Sequence, residues 1–171
     1  MITEEPSGRQ GMVDDLFHKP VVLYQASAER KEAAWSAFAC GDYVLAMYLA
    51  GLAVECILQT IALHDNPTHD AKHDLPKWLA RCRTRFQDAI KAEPVQGHWN
   101  RIARTWRNEL RYLSRDGLLG YLRKKKLDRG LSGGPDAIMK KNAKLLLDAA
   151  EAVFRIGVIE WHRCVKKSST H

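Results

Sequence analysis

Arg104, Arg107, Arg111 and Arg115 recur every three or four residues through a segment that also holds Trp99, Ile102, Ala103, Trp106, Leu110 and Leu113. A guanidinium group presents a planar fork of donors that matches phosphate oxygens two at a time, so this residue type at this spacing points to polyanion binding. At about 3.6 residues per turn the apolar set gathers on one side of a helix and the arginines on the other. The spacing therefore predicts one amphipathic helix over 96–114, with a core face and an arginine stripe that Glu109 alone cannot neutralise. The same pattern also suits a solvated charged face that binds nothing. Downstream, Lys124, Lys125 and Lys126 precede Gly130-Leu-Ser-Gly-Gly-Pro135, a glycine loop feeding a helix N-terminus. Backbone N–H groups in such a loop can hold an anion, but the Gly-Lys-Ser/Thr ending of a nucleotide-binding loop is missing, and Pro135 reads as the first helical position.

The remaining titratable groups give weaker patterns. His64-Asp65, His69-Asp70 and His73-Asp74 fall within a short polar stretch interrupted by Pro67. Imidazole and carboxylate are common metal ligands, yet the proline breaks any helix through the cluster, and a turn with N-capping aspartates accounts for the residues without a metal. No metal or other cofactor is expected. Glu55 is the one acid inside a strongly apolar segment and needs a partner, for which an arginine is the ordinary choice. Cys40, Cys56, Cys82 and Cys164 never approach a Cys-x2-Cys spacing and read as reduced and mostly buried. No dinucleotide fingerprint, nucleophile elbow or metalloprotease motif is present.

The elements that must position these groups are helical. Residues 1–26, with Pro6, Gly8, Gly11 and Pro20, read as an N-terminal arm in which Val21 to Tyr24 could pack as an extended piece. Ala33, Ala34, Ala37 and Phe38 stripe a first helix from about Ala28, and Gly41-Asp42 supplies a stop and a fresh N-cap. A second helix, about Tyr43 to Leu63, is apolar almost all round and belongs at the centre of a bundle. Short helices follow around Trp78 and from Phe86 to Lys91, then the arginine-bearing segment, and a last helix from about Asp136 to Trp161. The predicted fold is all-α: an up-and-down bundle of four long helices over 27–163, with short extra helices between the second and third and a tail at 164–171.

This order of features resembles the higher eukaryote and prokaryote nucleotide-binding (HEPN) domain: a helical hairpin turning at Gly41-Asp42-Tyr43, a long helix with Ala53-x-Glu55, then His73-Asp74-Leu75, then Arg107-Asn108. The resemblance spans about Ala28 to Trp161. It implies a homodimer and, in many members, a metal-independent endoribonuclease of a toxin or phage-defence system, with an Arg-x4–6-His motif. The arginine there stabilises phosphate charge and the histidine moves the proton as a ribose 2′-hydroxyl attacks. Arg107 and Asn108 match the opening of that motif, and Tyr112 stands where the histidine belongs. A tyrosine, with a pKa of about 10, is a poor base near neutrality but can donate a hydrogen bond or act as an acid. Arg107, Asn108 and Tyr112, supported by Glu55, are thus the implied catalytic set, and Arg104, Arg111, Arg115 and Lys124 to Lys126 the implied RNA or nucleotide contacts. Arg155 and His162 share the spacing without the following Asn, which makes them a chance match. The alternative is an inactive HEPN module, or an accessory or antitoxin subunit, that binds a cognate protein partner.

Composition agrees with these expectations without deciding them. Lys plus Arg number 27 against 20 Asp plus Glu, a formal net charge of +7, which favours polyanionic partners. No apolar run is expected to cross a bilayer, and Glu4, Glu5, Asp14 and Asp15 lie where a secretory leader would need a basic start and an apolar stretch, so a cytoplasmic protein is expected.

Overall fold

The computed structural model describes residues 19–68 and 70–168. It is all-helical, with helix over 79% of its length and no strand among the described residues. Helix α1 spans Pro20–Ala39, α2 Tyr43–Asp65, α3 Leu75–Arg81, α4 Thr84–Lys91, α5 Val95–Thr105, α6 Arg115–Lys124 and α7 Pro135–Ser168; a 3-10 helix covers Asn108–Tyr112 between α5 and α6.

Helix α1 begins at Pro20. The expected arm boundary at residue 26 and the extended piece at Val21 to Tyr24 are therefore corrected, because proline's fixed φ seeds the first turn at no hydrogen-bond cost. The rest of the arm lies outside the described residues. The α1–α2 turn forms as its residues dictate. Gly41 adopts φ +79° and the Asp42 side chain accepts from the backbone N–H of Leu45 at 3.0 Å.

Helix α2 is the centre. Ala46, Met47, Val54, Ile57, Leu58 and Ile61 are fully buried between α1 on one side and α7 on the other. By length and composition alone α2 could cross a membrane, contrary to the expectation that no run would; here 67% of its most apolar window is buried inside the protein. Gly157 of α7 lets the two helices approach, since a Cβ there would fall 2.4 Å from Ile57 Cγ1. Helix α3 and the 3-10 helix pack on α2, and α5 packs on α7.

The largest departure concerns the third long helix. Over 96–114 the chain is helical only to Thr105; Trp106 and Arg107 are extended, with φ/ψ of −80°/139° and −146°/146°, before the 3-10 helix starts. Three helices, α1, α2 and α7, reach 20 residues or more, and α5 has 11. The cause is tertiary. Trp106 leaves the helical path to lay its indole on Gly51 of α2, where a Cβ would stand 1.9 Å from Trp106 Cδ1, and to donate from Nε1 to the Tyr48 carbonyl at 3.0 Å. Burying a tryptophan against a glycine outweighs one continued helical turn.

Candidate functional site

The break at Trp106 turns the next two residues toward the loop ahead of α3. A cleft of about 590 Å³ lies between them, lined on one side by residues 71–77 and on the other by Ala103, Trp106, Arg107, Asn108 and Glu109.

On the first side the loop is shaped by its own side chains. Asp70 accepts from the backbone N–H of Lys72 at 2.7 Å, Lys72 takes φ 50°, its carbonyl accepts from Trp78 Nε1 at 2.6 Å, and Asp74 caps α3 by accepting from Lys77 N at 3.0 Å. The aspartates are thus turn and cap residues, as their spacing suggests. His73, between them, is projected onto α2. Its Nδ1 lies 3.1 Å from both carboxylate oxygens of Glu55, and Gln59 Nε2 donates to the same carboxylate at 3.0 Å. Glu55 is 3% exposed while the His73 side chain is 49% exposed. Burial pushes the Glu55 carboxyl above its ordinary value, against the opposing pull of His73 and, more distantly, Arg30. The partner of Glu55 is therefore a histidine, where an arginine was the expected choice.

On the second side Arg107 is exposed, and its Nη1 donates to the carbonyls of Ala103 at 2.7 Å and Trp106 at 2.6 Å. Among the described residues no carboxylate forms an ion pair with it. Asn108 is half-buried, and its Oδ1 is a buried acceptor with no hydrogen-bond donor among the described residues. Lys72 and Lys77 add positive charge from the opposite wall, partly offset by Asp74 and Glu109.

The structure separates the other expected site residues. The single arginine stripe does not exist, because the four side chains sit on four different pieces of backbone. Arg104, on α5, donates to the Lys125 carbonyl at 3.0 Å, which draws it to the Lys124–Lys126 turn. Within that turn Lys125 Nζ lies 5.9 Å from the Tyr121 ring centre and Lys126 takes φ 58°. Arg115 is already matched to Asp136 of α7. Tyr112 is 73% exposed and is not among the residues lining the cleft; Arg111 stacks over its ring at 4.6 Å. On α7, Arg155 pairs with Glu151 at 3.3 Å. His64 and Asp65 are 3.0 Å apart, and Asp65 is gripped by Arg83 at 2.5 and 2.6 Å, which pulls its pKa from 3.8 to about 2. His69 lies outside the described residues. Cys40 is exposed, and Cys56, Cys82 and Cys164 are buried.

His73 is the residue that sequence reasoning passed over. It was named in the His-Asp run and in the His73-Asp74-Leu75 of the resemblance, never as a site residue, and its facing of Glu55 depends on a loop closing back over α2. The chain matches no family model, and no curated protein or solved structure matches it.

Proposed function

We propose that the 71–77/103–109 cleft binds the phosphodiester backbone of RNA, and that His73 moves the proton in a metal-independent cleavage. The observation that carries this reading is the convergence on one cleft of an imidazole anchored through Nδ1 and an arginine with no carboxylate partner among the described residues. With Nδ1 facing Glu55, Nε2 is the ring nitrogen left to take a proton from a ligand, and the carboxylate orients the ring. In the reaction a ribose 2′-oxygen gives its proton to His73 Nε2 and bonds to the adjacent phosphorus. The bond from phosphorus to the 5′-oxygen breaks, and that oxygen takes a proton from water. Arg107 stabilises the charge on the non-bridging oxygens. Asn108 Oδ1, a buried acceptor, suits a ribose hydroxyl. His73 thereby fills the role for which Tyr112 was the sequence candidate.

This reading includes a HEPN-type arrangement in which α1, α2, α5 and α7 are the bundle members and α3 and α4 the extra helices between the second and third. The homodimer, the cytoplasmic location and the toxin or phage-defence role travel with it as part of the same proposal. A second reading, an inactive module that binds a cognate protein, draws on the commitment of Arg107 Nη1 to two backbone carbonyls. Binding separates the two. Arg107→Ala weakens RNA affinity and lowers its salt dependence by about one unit if the guanidinium contacts phosphate. Unchanged affinity and salt slope would favour the inactive module.

A further inference from the structure

We infer that Arg111 and Tyr112 form a base-stacking platform beside the cleft, so that the ligand is single-stranded RNA with an unstacked nucleobase. This inference rests on the phosphate-binding reading above and specifies its substrate. In a 3-10 helix, residues three apart eclipse one another and stand about 6 Å apart along the axis. Asn108 and Glu109 line the cleft, so Arg111 and Tyr112 follow them in register, one turn further out. Tyr112 is 73% exposed, and among the described residues no other aromatic side chain is among the exposed large hydrophobic ones. Its ring is held by the Arg111 guanidinium, 4.6 Å from the ring centre, with no carboxylate ion-paired to Arg111 among the described residues.

Such an arrangement costs free energy as a free surface and gains it as a platform. An exposed aromatic ring with a cation over one face offers its other face to a flat partner, and every nucleobase has one. A duplex keeps its bases stacked on each other and cannot use that face, whereas a single strand crossing the cleft can. A sugar-phosphate unit gripped at Arg107 places its neighbour at the distance of the next 3-10 turn.

The test compares a short labelled single-stranded oligoadenylate with an abasic ribose-phosphate strand of the same length. Both are titrated by fluorescence anisotropy against the wild-type chain, Tyr112→Ala, Tyr112→Phe and Arg107→Ala. Tyr112 is exposed enough that neither of its substitutions threatens the fold. The platform predicts that wild type prefers the oligoadenylate. Tyr112→Ala lowers that affinity roughly 5- to 100-fold and leaves the abasic strand unaffected, while Tyr112→Phe retains it. Arg107→Ala weakens both strands. Equal loss on both strands in Tyr112→Ala, or no loss on either, overturns the platform while wild-type binding of the abasic strand upholds the phosphate reading. Wild-type protein that binds neither strand overturns both.

Discussion

His73 Nδ1 is equidistant, at 3.1 Å, from the two carboxylate oxygens of Glu55, a residue 18 positions earlier in the chain and almost wholly buried in the central helix. A surface imidazole is thus tied to a core carboxylate, the arrangement that fixes a tautomer and orients the other ring nitrogen outward. If the cleft is catalytic, His73→Ala lowers the cleavage rate by about 10²- to 10⁴-fold. Its melting temperature falls as well, because the buried Glu55 carboxyl keeps only Gln59 as a partner among the described residues, so the rates are compared well below the variant's transition.

Glu55 separates function from stability. Its carboxyl pKa is raised chiefly by burial, so ionisation at neutral pH opposes folding. For a group raised in the folded state, the favourable contribution is complete below the unfolded value and is lost as pH rises through the folded one. Glu55→Gln is therefore expected to melt no lower than wild type at neutral pH, with the difference shrinking as pH falls through the carboxylate range. The same variant loses cleavage activity, since the imidazole loses the carboxylate that orients it. Melting curves across pH, paired with initial rates, check both halves.

Gly51 positions Arg107 through Trp106. A Cβ at Gly51 would fall 1.9 Å from Trp106 Cδ1. Gly51→Ala must displace the indole and the extended backbone that follows it, at a cost of about 1–3 kcal/mol, and RNA affinity should fall with it. Gly120→Ala is the control, since a Cβ there meets nothing within 4 Å in the exposed middle of α6. Helix propensity predicts that this change stabilises by about 0.5–1 kcal/mol with affinity intact. Urea unfolding of both variants decides the matter.

Asp65 gives a pH signature independent of the cleft. Arg83 holds its pKa down, from 3.8 to about 2, so the pair contributes stability above the upper value and loses it as pH falls toward the lower. Asp65→Asn should be less stable than wild type at neutral pH, and the two curves should converge across that acidic interval. A constant gap through it would show that the pair contributes nothing through charge.

Among the remaining arginines, Arg115→Ala should leave RNA affinity unchanged because Asp136 already occupies that guanidinium. Arg104→Ala should likewise leave affinity and salt slope unchanged, since its guanidinium is drawn to the Lys125 carbonyl and does not line the cleft. Titrations at several salt concentrations check the pair together.

The helices were legible in the sequence wherever local chemistry set them. Gly41-Asp42 marked the first hairpin, unbroken apolarity marked α2 as central, and Asp74 announced the α3 cap. The break after Thr105 was not legible, because no proline or glycine sits there; the cause is Gly51, more than fifty residues earlier. For the same reason the arginines looked like one face of one helix. Arg107 and Asn108, singled out by their motif, line the cleft, but the His73–Glu55 contact is a property of the closed loop and has no periodic trace.

The most direct test of the account is to incubate single-stranded RNA, in the presence of a chelator, with wild-type protein and with His73→Ala, and to analyse the product ends. Wild type is expected to yield 2′,3′-cyclic phosphate and 5′-hydroxyl ends, and His73→Ala to leave the strand uncut. Intact RNA after incubation with folded wild-type protein, or equal cleavage by His73→Ala, would contradict it.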